Sequence, residues 1–325
     1  MNKRDHIAEI LEIKQRSART NDFASFKLSD LKRQWEKSHT SESCTPDFYV
    51  IRTVTLLEVF ARTNIRKLID HGGEYTKRAV ELSRHVKIDF NLVQGIHDRA
   101  ITLGDIIAHS VPLNSFAQIF GQFETLLGKP LQPLLSKAVD RFETEIRQGT
   151  AGPIISDFDF LARTLARLYE VRHILCHENP KGSVYTTDDL ENCLEQTIRF
   201  AKALEEVVTF DMFGLVPLRQ ADMNIAADQR LRKKEDKLNE LIHEVRELLA
   251  IMNELDPDGG DWLSSFEDVE QKWLIYRNAQ CEFETWLSKG GTIRPLLWAN
   301  EATRLTEARI ADLRAWLERE FETRG

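Results

Sequence analysis

Residues 157–180 read DFDFLARTLARLYEVRHILCHENP, and the way this stretch folds sets the reading of the first two-thirds of the chain. Phe158, Leu161, Leu165, Leu168, Leu175 and Cys176 recur at i, i+3, i+4 and i+7. That is the period of an amphipathic helix. Asn179-Pro180 and Gly182 stop it, because proline cannot continue a helix and the residue before it avoids the α region. The spacing predicts one helix over 157–178. Arg172 sits at the centre of the apolar stripe, His173 and His177 lie on its flank on neighbouring turns, and Glu170 lies beside them. A guanidinium keeps its charge, so placing one among leucines is costly without a partner. Either a carboxylate meets Arg172, or the stripe faces a cleft or a second subunit where an anion binds.

Three chemistries fit these residues. One is a structural arginine paired with a buried carboxylate, beside two surface histidines. A second uses His173 and His177 as an HxxxH metal pair, for which Glu170 is the one candidate third ligand. The third is a phosphoryl-transfer site, with arginine as a fixed cation and histidine as an acid or base near neutral pH.

Outward from this helix the chain is helical throughout, and the fold class is all-α. Helices are predicted over 3–20 and 22–38, the second carrying Phe23, Phe26, Leu28 and Leu31, before a turn at 38–47. The apolar run 48–70 predicts a central core helix ending at His71-Gly72-Gly73. Further helices are expected at 74–85, 89–101, 116–127 and 132–147, with breaks at 128–130 and from Gly149 to Pro153. After the 157–178 helix comes a short extended piece, Ser183 to Thr186, and then a helix over 189–208 capped by Thr187 or Asp188. The softer TFDMFGLVPL (209–218) marks a boundary. Three helices follow at 220–254, 264–289 and 295–322, separated by 256–260 and 289–291.

The 325 residues carry a net charge of −8, which argues against a general nucleic-acid coat but leaves room for a local basic cleft. Arg62, Arg66, Lys67, Lys77, Arg78 and Arg84 give the early helices a basic bias, readable as a solvated face or as an RNA track. His71, His85, His97 and His109 are scattered at loops and helix ends and read as surface or satisfied core. Cys44, Cys176, Cys193 and Cys281 form no CxxC, which suits reduced thiols in a cytosolic, cytoplasmic protein. The first twenty residues show no secretory pattern, and no run of about 18 apolar residues occurs, so no membrane partner is expected. P-loop, Rossmann, GxSxG and HExxH motifs are absent from the sequence.

LYEVRHILCHENP (168–180) resembles the signature helix of HEPN domains, in which Arg, four residues and His form the catalytic motif. The resemblance covers 45–210, with 1–44 as a helical leader packing on that domain. It implies a metal-independent, cofactor-free endoribonuclease, a hydrolase with a toxin-like role in antiviral defence or a toxin–antitoxin pair. RNA would be the substrate, and an antitoxin or regulatory protein a partner. His177 would act as general base for the 2′-hydroxyl or acid for the leaving oxygen, and Arg172 would stabilise phosphate charge. His173 would orient or bind phosphate, and Glu170 would fix Arg172 or the histidines. A homodimer through the 157–178 helix would bring two motif helices to one site. Some HEPN domains are non-catalytic RNA- or protein-binding adaptors, which is the alternative.

Beyond a linker at 211–218, residues 219–325 resemble the lysozyme-inhibitor LprI-like family. Three blocks carry the match: RQADMNIAADQRLRKKEDKLNEL (219–241), WLIYRNAQCEFE (273–284) and GGTIRPLLWANEATRLTEARIADLRAWL (290–317). Trp273, Tyr276, Leu296, Leu297, Trp298, Leu305, Leu313 and Trp316 recur at helical spacing and are expected to form the core. Exported members of that family carry cysteines where this chain has Ala226 and Glu301, so Cys281 stands without the family's bridging partners. The expected role is recognition, dimerisation or control of the first domain, and a lysozyme-inhibitor-like binding protein is the third functional reading.

Overall fold

A computed structural model describes residues 6–17, 24–40, 45–86, 90–98, 100–149, 152–178, 180–256 and 260–324. Cys44, Phe23, Asn179 and parts of the expected breaks at 149–153 and 256–260 lie outside the described residues. Thirteen α-helices and no β-strand occur among the described residues. The chain divides into two compact units, Met1–Leu215 and Val216–Gly325.

In the first unit the organising element is α3 (Pro46–His71). It packs against α2 (Ala24–Ser38), α4 (Glu74–Leu82), α6 (Leu103–Ser110), α7 (Phe116–Leu127), α9 (Phe158–His177) and α10 (Thr187–Phe213). A helix surrounded on so many sides has to be apolar around most of its circumference. Val50, Val54, Leu57, Phe60, Ala61, Ile65 and Leu68 are buried accordingly. Its buried polar residues are satisfied along the helix itself: Thr53 Oγ1 donates to Tyr49 O at 2.6 Å, and Asn64 Nδ2 to Phe60 O at 3.0 Å. Gly72 and Gly73, at φ +88° and +61°, end the helix in a conformation that L side chains avoid. Leu28, Leu31 and Trp35 of α2 belong to the same core, while Ile10 of α1 (His6–Ser17) packs on Ile101 and Ile106.

Several boundaries depart from the periodicity. The expected helix over 132–147 stops as α8 (Leu131–Lys137), because Ala138 turns extended and its carbonyl accepts from Ile154 N at 2.8 Å. Val139 pairs with Pro153 in an isolated antiparallel bridge, and a single π turn spans Phe142–Ile146. α6 was not expected: it is eight residues long, too short for a clear period, and is fixed by a capping box between Thr102 and Asp105. Another eight-residue helix, α5 (Phe90–His97), matches the expected 89–101 only in part. α10 begins two residues earlier than expected, since Thr186, not Thr187 or Asp188, caps it with Asp189. It also runs into the soft segment as far as Phe213, ending at Gly214 with φ +69°.

The second unit consists of α11 (Gln220–Leu255), α12 (Trp262–Glu284) and α13 (Arg294–Arg324), with a 3₁₀ turn at Trp286–Ser288. Leu238, Leu241, Val245 and Leu249 of α11 meet Ile310, Leu313 and Leu317 of α13, with Trp273 and Trp316 packed alongside. A second cluster joins Ala227, Leu231, Cys281, Ala299, Ala302 and Leu305, with Leu296 and Trp298 against it. Tyr276 and Leu297, expected in this core, are exposed. The buried line of α12 runs through Glu270, Trp273, Arg277 and Cys281, and Tyr276 lies about 100° of helical turn away from it. No described helix is long and apolar enough to cross a membrane.

Gly104 marks the tightest approach between α6 and α3. A Cβ there would lie 2.6 Å from Asp70 Oδ1 and 2.7 Å from Arg66 O, while Gly104 N already donates to Asp70 Oδ1 at 2.9 Å. Backbone cannot retreat as a flexible side chain can. Gly104→Ala is therefore expected to destabilise the chain by about 1–3 kcal/mol through overpacking. Thermal unfolding followed by circular dichroism checks this, and an unchanged melting temperature would contradict the close approach.

Candidate functional site

α9 starts at Asp157, whose carboxylate caps the helix by accepting from Phe160 N at 2.9 Å, and ends at His177. Leu161, Leu165 and Leu168 are at most 1% exposed and pack into the first unit's own core, with Phe158 and Leu175 partly buried against it. The apolar stripe is thus committed within the chain, and it is not the open self-complementary face that a two-fold interface needs. A dimer through residues 157–178 would have to use the outer face instead. Cys176, expected on the stripe, is exposed.

Arg172 does continue the line of Leu161, Leu165 and Leu168, and it is half-buried. Among the described residues no carboxylate lies within 4.0 Å of it. Glu58 on α3 lies within its electrostatic reach, and Arg172 and Arg62 both act on it. Burial pushes the Glu58 carboxyl above the ordinary carboxylate range, and the two guanidinium groups only partly offset that. Arg62 donates from Nη1 to Ala108 O at 2.5 Å and to His109 O at 3.0 Å. Burial lowers its pKa, against the pull of Glu58. Tyr169, one turn before Arg172 and 7% exposed, completes the group. Its hydroxyl is buried without a hydrogen-bond partner among the described atoms, and burial, then Glu58, raise its pKa. In the sequence Arg62 is one of a diffuse set of basic residues, and no local pattern marks Glu58 or Tyr169.

His173 and His177 are both exposed, their rings 4.9 Å apart between centroids and tilted by 46°. They lie about 100° and about 140° around the helix from Arg172, so the histidine pair and the arginine occupy different sectors of α9. Glu170 does not meet either: it pairs with Arg167 at 2.7 Å on the exposed side. Among the described residues no group of three or more His, Cys, Asp or Glu is placed to hold a metal ion. A cleft of about 510 Å³ opens beside the end of α9, lined by Leu175, Glu178, Trp35, Asp47 and Tyr185. Tyr185 Oη donates to Asp47 Oδ1 at 2.6 Å across it.

The second unit has a polar interior of its own. Arg277, 7% exposed, donates from Nη1 to Glu235 Oε1 at 2.9 Å, and its guanidinium lies 5.4 Å from the Trp273 ring centre. Glu270, 5% exposed, accepts from Arg309 Nε at 3.0 Å through Oε1, while its Oε2 is buried without a partner. Arg246 grips Glu267 with two bonds, at 2.6 and 2.9 Å. A cleft of about 610 Å³ between α11 and α12 is lined by Glu235, Arg246, Glu267, Glu270, Trp273 and Arg277, together with Ile242 and Leu274. It offers both signs of charge over an aromatic wall, which suits recognition of a polar protein surface more than enclosure of a small apolar ligand.

Residues 218–313 match the family described as lysozyme inhibitor LprI. An uncharacterised protein of Rhizobium meliloti (strain 1021) is 31% identical over 106 residues, which make up 30% of this chain and 74% of that protein. Through its C-terminal unit the chain belongs to the LprI family. No solved structure matches the chain.

Cys281 packs among alanines and leucines, and burial, with Glu301 nearby, pushes its thiol up to about 11. Glu301 itself is held by Arg304. The helices are joined by apolar contact and by the Arg277–Glu235 and Arg309–Glu270 pairs instead of by bridges through Ala226 or Glu301.

The Glu58 group gives a pH signature. An acid whose pKa is raised on folding binds its proton more tightly in the folded state. Its contribution is therefore complete below the ordinary value and is lost as pH rises through the raised one. Glu58→Gln removes that loss. Relative to the parent chain, the variant is expected to be more stable at pH 7 than at pH 4 in urea unfolding, and an equal difference at both pH values would argue against a buried, charge-penalised Glu58.

Proposed function

We propose that this protein is a lysozyme-inhibitor-like binding protein whose C-terminal three-helix unit recognises a protein partner of the lysozyme class, with the N-terminal helical unit as its accessory domain. The match of residues 218–313 to the lysozyme-inhibitor family carries this reading. The unit's chemistry supports it. Paired charges over an aromatic wall are the means by which stable protein interfaces obtain specificity, through hydrogen-bonded charge pairs that exclude mismatched partners. The interior is held without disulfides, so the fold does not depend on an oxidising compartment. Adding the full chain to a c-type lysozyme should reduce its rate of cell-wall lysis in proportion to inhibitor, with half inhibition near or below about 1 µM. Undiminished lysis, together with no heat of binding in calorimetry, would remove lysozyme as the partner.

A second reading is favoured by one observation: Arg172 is half-buried with no carboxylate close enough for an ion pair among the described residues, beside an exposed histidine pair. In a HEPN-type endoribonuclease His177 would exchange the 2′-hydroxyl proton, Arg172 would stabilise phosphate charge, and His173 would orient the phosphate. Glu170, engaged by Arg167, would stand outside that machinery. Because the two histidines and the arginine lie in different sectors, a shared site would need a second copy across the outer face of α9. This reading also carries the toxin-like role, the antitoxin or regulatory partner, and a cytoplasmic setting. Cleavage of RNA, but not DNA, in excess chelator should then fall by about 10²-fold or more in His177→Ala. Chelator-sensitive cleavage restored by zinc would instead favour the metal pair.

A further inference from the structure

α12 carries a second apolar line besides the one it buries. Trp262, Val269, Tyr276 and Phe283 recur every seven residues and are 47%, 47%, 54% and 74% exposed. A seven-residue step falls only about 20° short of two full turns, so these side chains form one slowly drifting seam. Trp286 and Leu287, 63% and 98% exposed, prolong it beyond the helix. Contiguous aromatic and aliphatic exposure of this kind marks an interaction surface more often than a solvated face.

The flanks of the seam say what covers it. Asp261, Asp268 and Glu282 each precede a seam residue by one position, and Ile275 takes the fourth such place. Asp268 and Glu282 contact Lys272 and Arg294, while Asp261 caps the helix. The Asp268–Lys272 pair is exposed, and such a pair contributes little and exchanges readily, while Arg294 is partly buried beside Glu282. On the other flank, Phe266 and Trp273 are already packed in the unit's core. A second copy aligned in parallel would need those two residues. Aligned antiparallel, it would set the acidic row against itself.

We propose that the outer face of α12 is a docking surface for a heterologous helical segment with an apolar seam and lysine or arginine flanks. This rests on reading the C-terminal unit as a binding module, and it assigns the face and the partner chemistry.

The test uses the full chain and two stapled helical peptides of about 24 residues with leucine at the seam positions, one flanked by lysine and one by glutamate. The lysine-flanked peptide should bind with micromolar affinity and the glutamate-flanked one at least about tenfold more weakly. Tyr276→Glu and Phe283→Glu, both at exposed helical positions and expected to keep the parent melting temperature, should each weaken binding about tenfold. Val80→Glu, at another exposed apolar site on α4, should leave it unchanged. Equal binding of the two peptides, indifference to the seam substitutions, no binding, or a parent dimer that Phe283→Glu dissociates would each overturn the proposal. Seam-dependent peptide binding without lysozyme inhibition would remove lysozyme as partner but leave this surface in place. Lysozyme inhibition unaltered in Phe283→Glu, with no peptide binding, would remove the surface alone.

Discussion

The burial of one broad face of α3 is the constraint on which the first unit depends. Six other helices lie against that face, so it has little freedom to be polar, and the few polar residues it buries bond along their own helix. Glu58 and Arg62 are the exception. They sit at the rim of the α3–α9 contact, half-buried, where desolvation acts on each and neither is fully answered by the other. Arg172 enters the same rim from α9. A charge placed there costs stability that apolar side chains of similar size would not, which is the usual condition of a group retained for specificity or chemistry.

This arrangement refines what an arginine in a leucine stripe means. The sequence left open whether a carboxylate, a cleft or a subunit partner met Arg172. In the folded unit the leucines are enclosed by α3 and α10, and the arginine emerges at the edge of that contact, within the field of Glu58 and beside the unbonded Tyr169 hydroxyl. The histidines face outward. One helix therefore presents two separate polar sectors.

Much of the fold was legible because long helices carry many repeats of their period. α3, α9, α11 and α13 average over several turns, so a few misplaced residues do not hide them. α6 was hidden because eight residues give barely two turns, and its start depends on a Thr–Asp capping box that reads as ordinary loop composition. The break after Lys137 was hidden for a different reason: it is made by a tertiary bond between Ala138 and Ile154, which no local pattern contains. The site residues divide in the same way. Arg172 and the histidines share one helix and were visible in its wheel. Glu58 lies 114 residues earlier in the chain, and only the packing of α3 on α9 brings it near.

The C-terminal unit shows how an apolar periodicity can mislead. Tyr276 recurs at helical spacing with Trp273, and both read as core, yet only one faces inward. The reason is that α12 bears two apolar lines and its interior line is partly polar. Glu270 and Arg277 occupy buried positions where leucine would be expected, each neutralised by a partner on another helix, Arg309 on α13 and Glu235 on α11. With Glu270 and Arg277 inside and Tyr276 and Phe283 outside, the usual inference from hydrophobicity to burial fails at these positions of the helix. A buried pair loses several kcal/mol if one member is removed, so both pairs hold α12 in one rotational setting. That setting turns the Trp262–Phe283 line outward. The polar interior and the exposed seam are thus two consequences of one choice of helix rotation.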